Sequence, residues 1–214
     1  MIEGDVLIDG SNQSPLTLLL AHGAGAAMDS SFMESMAFGL SAHGWRVIRF
    51  EFPYMAKRRL TGRQCPPDRF ELLAGHWSEQ VDAFSQSGPV VVGGKSMGCR
   101  IASVCADQWI EAKQVLGCIC LGYPFHPLGK PQQLRVEHFK QMRTPTLIVQ
   151  GERDPMGRRD LVETLSLSDA VEVSWMPDGD HSFKPRKASG RTEAMNRSVA
   201  IDAAHQHMLR LLQS

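Results

Sequence analysis

Apolar runs of about six residues alternate along this chain with longer segments in which apolar residues recur every three or four positions. The runs at 16–21 and 115–121 have the length and composition of buried strands. Residues 31–43 instead predict a helix, because their apolar side chains have helical spacing: Phe32, Met33, Met36 and Leu40. Repetition of this unit predicts an α/β fold, with a mostly parallel sheet of about six or seven strands and helices on both faces.

The same reading places the remaining elements of the chain. A short first strand is predicted near residues 5–8, and a helix follows directly after residue 96. Further strands are predicted at 45–50, 90–93, 146–149 and 171–175, and further helices at 69–85, 158–166 and 192–212. For the last helix, apolar spacing predicts a buried face made of Met195, Val199, Ala203, Met208 and Leu212.

Residues 51–68 break this regularity. We predict an irregular loop there, because Pro53 interrupts the pattern and a pair of prolines lies at 66–67. The loop is basic, and its four cations are Lys57, Arg58, Arg59 and Arg63. Arginines can bind an anionic group of a ligand in a bidentate manner. We favour the alternative, in which these side chains form ion pairs with nearby carboxylates: Glu51, Asp68 and Glu71.

Length, composition and charge restrict the class of protein. A chain of 214 residues with 43% hydrophobic residues suits one globular domain, predicted to span residues 1–214 with little or no cap. The chain has 23 basic and 23 acidic residues, so no overall field favours nucleic acid or an anionic membrane. No apolar stretch approaches the roughly 18 residues of a membrane span, and the first residues are acidic where a signal peptide is basic.

The cysteines indicate a reducing compartment. Five are present, an odd number without the spacing of a disulfide framework, which favours free thiols and a cytoplasmic location. Cys118 and Cys120 stand two apart in an apolar strand, so both should point to one face as small core residues. We find no histidine or cysteine cluster at ligand spacing, and therefore expect no metal and no cofactor.

Residues 90–102 carry the strongest chemical signal. An apolar strand runs into Gly94-Lys95-Ser96-Met97-Gly98, which fits the pattern G-x-S-x-G, and a segment with helical spacing follows. In a nucleophile elbow, the serine occupies a strained strand-to-helix turn that exposes its hydroxyl, and the next backbone N–H faces the same pocket. Glycines on both sides keep side chains out of the bend. Ser96 is therefore the candidate nucleophile, with Met97 N–H as an oxyanion donor.

A second turn of small residues leaves the end of the strand at 16–21. Residues His22-Gly23-Ala24-Gly25 form it, and such a turn can direct a backbone N–H, here most simply that of Ala24, at a developing oxyanion. We expect His22 to orient this turn through hydrogen bonds instead of acting as a base. Gly23, Gly25 and Lys95 are expected to border the bound substrate, although Lys95 can equally form a local salt bridge.

The acid and the base follow two further strands. Asp154 comes directly after the strand at 146–149, and His181 lies a few residues after the strand at 171–175. The chain order Ser96, Asp154, His181 is that of the α/β-hydrolases and differs from the chymotrypsin and subtilisin orders. Each candidate follows the carboxyl end of a strand, where open α/β sheets place their sites.

Other readings of these residues remain open. Asp154 can also cap the helix that follows it, since Pro155 suits a first helical position. Glu152, Asp178 and Asp180 are rival carboxylates, and His126 is a further candidate for the pocket. Gly93-Gly94-Lys95-Ser96 superficially fits the end of a phosphate loop, but Pro89 stands where that motif requires its first glycine.

With these motifs in place, the chain resembles the α/β-hydrolases over residues 18–183. It is similar to a compact bacterial branch described as dienelactone-hydrolase-like, in its Gly-Lys-Ser-Met-Gly elbow and in the segment Arg49-Phe50-Glu51-Phe52-Pro53-Tyr54-Met55. It differs from dienelactone hydrolase itself in having serine, not cysteine, as the nucleophile. A hydrolase-like domain of a chromatin acetyltransferase complex resembles the same branch.

The sequence therefore predicts a serine hydrolase with a small-molecule acyl substrate. An ester or thioester would be cleaved by a Ser-His-Asp triad through an acyl-enzyme. The alternative is a hydrolase fold that serves as a binding or scaffold module without turnover, a use that the chromatin-complex resemblance implies. Nothing in the sequence chooses between ester, thioester, lactone and peptide substrates, or fixes an oligomeric state.

Overall fold

The computed structural model describes residues 6–213, so the predicted strand residue Asp5 lies outside the described residues. Seven strands form one open sheet in the order β1-β3-β2-β4-β5-β6-β7. All neighbours are parallel except β1 and β3, which are antiparallel. The strands are β1 Val6–Asp9, β2 Thr17–Ala21, β3 Arg46–Phe50, β4 Val90–Lys95, β5 Gly117–Leu121, β6 Thr146–Gly151 and β7 Val171–Met176.

Within residues 6–213, six α-helices flank this sheet, and the predicted α/β class with a mostly parallel sheet is confirmed. They are α1 Ser31–Ala42, α2 Pro53–Thr61, α3 Phe70–Ser85, α4 Met97–Glu111, α5 Arg159–Val162 and α6 Glu193–Gln213. Between β5 and β6, where a cap domain could be inserted, the chain forms only a 3₁₀ turn at Glu137–Lys140. No helix within residues 6–213 is long and apolar enough to cross a membrane.

The core lies on both faces of the sheet because successive strand residues point to opposite sides. In β4, Val92 packs with α3 and α4 around Trp77 and Trp109, whereas Val91 packs with α1 and α6 around Met36. Cys118 and Cys120 are both buried in the first of these clusters, with their sulfur atoms 4.0 Å apart, as their spacing predicts.

Half of the segment predicted as a loop at 51–68 is a helix, α2, which corrects the prediction. Pro53 is the first residue of α2, where its missing N–H costs no hydrogen bond and its fixed φ suits the helix. The helix ends at Gly62, which has a φ of 67°. Ion pairing of the basic segment is seen for Arg59, which contacts the carboxylates of Glu51 and Asp29 at 2.6 Å and 2.7 Å.

The buried face of α6 also differs from the prediction. Met195, Val199 and Leu212 are exposed to 46%, 38% and 38%, although Met208 is buried as predicted. The buried residues lie one position around the helix: Asn196, Ala200, Ala204, His207, Met208 and Leu211. Small alanines and hydrogen-bonded polar side chains face the core here, so apolar spacing alone selects the wrong stripe.

Candidate active site

Ser96 lies in a strained turn between β4 and α4. Its φ of 53° and ψ of −112° are unusual for a residue with a side chain. The Ser96 N–H donates to Leu121 O at 3.1 Å, which fixes the turn against the next strand. Within residues 6–213, the Ser96 hydroxyl has no hydrogen-bond partner, so it is available to a ligand.

The two elbow glycines are required by close packing. A Cβ on Gly94 would lie 2.7 Å from the carbonyl oxygen of Ala21, and one on Gly98 would lie 2.6 Å from the same atom. A side chain at either position would therefore force β4 and α4 away from the end of β2. This contact is what brings the elbow next to the small-residue turn that follows β2.

That turn, residues 22–25, lies directly beside the serine. A Cβ on Gly23 would be 3.5 Å from the Ser96 Cβ. The His22 ring holds the turn, because Nδ1 donates to Gly23 O at 2.6 Å and Nε2 accepts from Phe52 N–H at 3.1 Å. Burial lowers the pKa of His22, which favours this neutral tautomer and leaves no free ring nitrogen for a base.

Tyr54 gives the turn a second support. Its hydroxyl lies 3.3 Å from Gly23 O and 3.1 Å from Ala24 O, so it can donate to either carbonyl of the turn. Within the described residues no acceptor is found for the Ala24 N–H. Met97 is the first residue of α4, and first-turn N–H groups have no intrahelical acceptor. The Ala24 and Met97 N–H groups are therefore both available to a ligand.

Asp154 and His181 meet across the ends of β6 and β7. The His181 Nδ1 donates to Asp154 Oδ2 at 2.7 Å, which leaves Nε2 as the free acceptor of the ring. Asp154 is fully buried and accepts two further hydrogen bonds, from Gln150 Nε2 at 2.9 Å and from Met156 N–H at 2.8 Å. The carboxylate is thereby held in one orientation.

The rival carboxylates have other partners. Asp180 accepts the N–H groups of Ser182 and Lys184 and so shapes the histidine loop. Glu152 pairs with Arg159 at 2.9 Å. Asp178 pairs with Arg153 and Arg186, and these contacts lower its pKa to about 2. Of the four candidates, Asp154 is therefore the one that contacts His181.

Gly122 lies between the histidine loop and the elbow lysine. A Cβ on this residue, whose φ is 64°, would lie 2.6 Å from His181 O and 3.4 Å from His181 Nδ1. The same atom would lie 2.8 Å from Lys95 Nζ. Because Lys95 precedes Ser96 and Leu121 O accepts the Ser96 N–H, these contacts place His181 against the nucleophile turn.

Comparison with known proteins identifies the family of the chain. A family model described as an alpha/beta hydrolase domain matches residues 14–209. The chain belongs to the alpha/beta hydrolase family. The matching solved structures of this family include dienelactone hydrolase from Anabaena variabilis ATCC 29413, with a TM-score of 0.70 and 20% identity over 96% of this chain and 90% of that one.

This alpha/beta hydrolase is also similar to two further proteins. A serine hydrolase without lid from Xanthomonas campestris matches with a TM-score of 0.65 and 20% identity, over 94% of this chain and 88% of that one. A protein of Pongo abelii named "Putative protein-lysine deacylase ABHD14B" is 25% identical over 151 residues, which are 70% of this chain and 67% of that one. At these identities, the solved structures support the fold.

Two of the cavities in the described part of the chain lie beside segments that neighbour the candidate site, although neither is lined by Ser96 or His181. One of about 280 Å³ borders Gly25 and is lined by Met55, Arg58 and Arg59 of α2. The other, of about 530 Å³, lies beside Pro155 and is lined in part by His126. His126 is 5% exposed and contacts Pro127 O through Nδ1, so it borders the acid side of the site and not the serine. No group of three metal-ligating side chains occurs within residues 6–213.

Sequence reasoning missed Tyr54, Gln150 and the role of Lys95. Tyr54 lies in α2, which was predicted as a loop, and Gln150 lies within a strand whose pattern shows only that it is buried. Lys95 was predicted either to border the substrate or to form a local salt bridge. The residue is 8% exposed, and its Nζ donates to His181 O at 2.7 Å. Contacts between residues far apart in the chain leave no local signal.

Proposed function

We propose that this protein is a serine hydrolase that cleaves a small ester or thioester through a Ser96–His181–Asp154 triad. The observation that carries the proposal is the 2.7 Å hydrogen bond between His181 and buried Asp154, next to an unpartnered serine at a strained elbow. That bond fixes the ring tautomer with an acceptor at Nε2, which is the atom a general base needs.

The proposed reaction begins when Ser96 Oγ attacks the acyl carbon while His181 Nε2 takes the hydroxyl proton. Asp154 stabilises the imidazolium that results. The N–H groups of Met97 and Ala24 donate to the oxyanion of the tetrahedral intermediate, and the loss of one such donor typically raises the barrier by about 3 kcal/mol. The intermediate collapses as His181 returns the proton to the leaving alcohol or thiol, which leaves Ser96 acylated.

Deacylation reverses these roles. A water molecule gives a proton to His181 and attacks the acyl-enzyme, and the second tetrahedral intermediate expels Ser96 Oγ, which regains its proton from the imidazolium. Each step of the proposed reaction uses only groups of this chain, the acyl substrate and water. The absence of a cap between β5 and β6 leaves the site open, which suits small substrates and modest selectivity.

The proposal is tested by intact-mass analysis after incubation with a fluorophosphonate. The wild type should gain one adduct, and neither Ser96→Ala nor His181→Ala should gain any. An unmodified but folded wild type would contradict the proposal and would favour the alternative, a hydrolase fold used as a binding module. With an adduct established, turnover is screened on short-chain p-nitrophenyl esters, acyl thioesters and, because of the deacylase-named relative, an acyl-lysine peptide.

A further inference from the structure

The elbow lysine is directed at the backbone of the histidine loop. Lys95 is the last residue of β4, and its Nζ donates to His181 O at 2.7 Å, 86 positions away in the chain. Its ammonium also lies 5.4 Å from the centre of the Phe32 ring, a cation–π distance. Within residues 6–213, Lys95 has no carboxylate within ion-pair distance.

This contact crosses the chain directly beside the nucleophile. Lys95 pairs with Leu121 in the sheet register, and the adjacent Ser96 N–H donates to Leu121 O. The lysine side chain then passes over Gly122 to reach His181. Glycine is required at this crossing, because a Cβ there would lie 2.8 Å from Lys95 Nζ and 2.6 Å from His181 O. One short segment thus fixes both the serine turn and the histidine backbone.

A buried ammonium is costly unless something is gained from it. Burial lowers the pKa of Lys95 to about 8, and the carboxylates of Asp154 and Asp180 and the Cys99 thiol oppose that shift only in part. An apolar side chain would fill the same space without this cost. What the ammonium does, and a methionine cannot do, is hold the carbonyl of the residue whose imidazole contacts Asp154.

We propose that Lys95 is a positioning residue that holds His181 in reach of Ser96 by its hydrogen bond to the His181 carbonyl. The inference rests on the proposed triad and gives the lysine of the Gly-Lys-Ser-Met-Gly elbow a role in it. Asp154 fixes the orientation of the ring through Nδ1, while Lys95 fixes the backbone from which the ring projects. Misplacement of a catalytic group by about 1 Å can lower the rate about 100-fold.

The test compares Lys95→Met, which keeps the length but removes the donor, with Lys95→Arg, which keeps a donor. Lys184→Met is the matched control, because it removes an exposed lysine from the loop that carries His181. For Lys95→Met we expect kcat to fall about 10- to 100-fold with KM nearly unchanged, and fluorophosphonate labelling to slow by a similar factor. Lys95→Arg should recover part of the loss, and Lys184→Met should behave as wild type.

A second readout does not depend on activity. Hydrogen–deuterium exchange should accelerate in the peptide covering residues 177–186 of Lys95→Met, while the β4 core stays protected. Unchanged exchange and unchanged kcat in a folded Lys95→Met would overturn the inference. A rise in KM with kcat unchanged would overturn it too, since the lysine would then bind substrate. A wild type that fails to label contradicts the proposed function instead, whatever the exchange shows.

Discussion

Asp180 directly precedes His181, whereas Asp154 lies 27 residues before it, and the fold gives the two carboxylates different partners. Asp154 accepts from the imidazole, whereas Asp180 accepts backbone N–H groups of its own loop. Asp154→Asn should therefore lower kcat by roughly 10⁴-fold, because an amide favours the wrong ring tautomer. Asp180→Asn should cost far less, since an amide oxygen still accepts from the loop. Steady-state rates on one ester measure both.

The opposite ranking of these two variants would contradict the assignment of Asp154 as the acid of the triad. If Asp180→Asn were the more damaging substitution, the general-base histidine would be oriented from its own loop, and the acid would have to be reassigned. Equal thermal unfolding midpoints for the two variants are the necessary control, because a loosened loop would also lower the rate.

The lowered pKa of Lys95 should make the free energy of unfolding depend on pH. Its pKa is about 8 in the folded protein and near 10.4 in an unfolded chain, so between these values the unfolded chain binds more protons. Folded stability then increases with pH across this window and is lowest, for this group, below pH 8. Relative to Lys95→Met, the wild type should gain roughly 2–3 kcal/mol in free energy of unfolding between pH 7 and pH 10.

Urea unfolding of both proteins at the two pH values measures this difference. Every other titrating group is common to the two proteins, so its contribution cancels in the comparison. A constant difference between pH 7 and pH 10 would mean that the ammonium is not desolvated in the folded state.

Individual site residues could be predicted from the sequence where a short motif determines the local backbone geometry. The elbow around Ser96, the small turn at 22–25 and the strand ends before Asp154 and His181 could all be located from the chain alone. The contact of Lys95 with His181 could not, because it joins distant residues and depends on the space left by Gly122. Nor could it be foreseen that Arg59 would pair with Asp29 as well as Glu51.

Among the elements, α4 depends on close contact with the end of β2. Gly98→Ala would place a Cβ 2.6 Å from the carbonyl oxygens of Ala21 and His22, so it should destabilise the fold by roughly 1–3 kcal/mol and disturb the turn beside Ser96. Gly75→Ala in α3 is the matched control. No atom lies within 4 Å of its added Cβ, so it should stabilise by about 0.5–1 kcal/mol.

Chemical denaturation measures both glycine variants, and fluorophosphonate labelling reports on the elbow. Equal effects of the two substitutions would show that helix propensity dominates and that the approach of α4 to β2 can relax.

Helix α6 supports the histidine loop through one buried amide. Asn196 is fully buried, and its Nδ2 donates to Pro177 O and Phe183 O at 2.9 Å and 2.8 Å. Asn196→Leu leaves both carbonyls without that donor and should cost roughly 2–4 kcal/mol. The exposed neighbour Met195, changed to leucine, should stay within about 0.5 kcal/mol of the wild type.

The stability of these two variants is measured by thermal unfolding. If Asn196→Leu were as stable as Met195→Leu, the loop carbonyls would have found water, and α6 would contribute packing without holding the loop.

The elements show which sequence rules failed and why. Pro53 was taken as a breaker although a proline at a first helical position starts a helix without penalty. In α6, the buried stripe contains Asn196 and His207, which no apolar pattern selects. The first error counted the missing N–H of proline as a cost where none arises, and in the second, small and polar residues occupy the buried stripe.

Across the whole molecule, the strand-and-helix alternation correctly gave a mostly parallel sheet but not the order of its strands. That order, with β4 between β2 and β5, is what brings the turn after β2 beside the elbow. The pattern of apolar residues along a chain does not show which distant strands pair with one another. The antiparallel attachment of β1 to β3 was likewise absent from the prediction.

The support of His181 by β4, β6 and α6 has a consequence for the protein's own biosynthesis. Ser96 leaves the ribosome before His181, and the loop that carries His181 gains the Asn196 hydrogen bonds only when α6 docks. On the proposed mechanism, a nascent chain that ends before residue 181 has its serine but lacks the general base that would activate it. A chain released before residues 193–213 are translated would lack α6 and, with it, this support of the histidine loop.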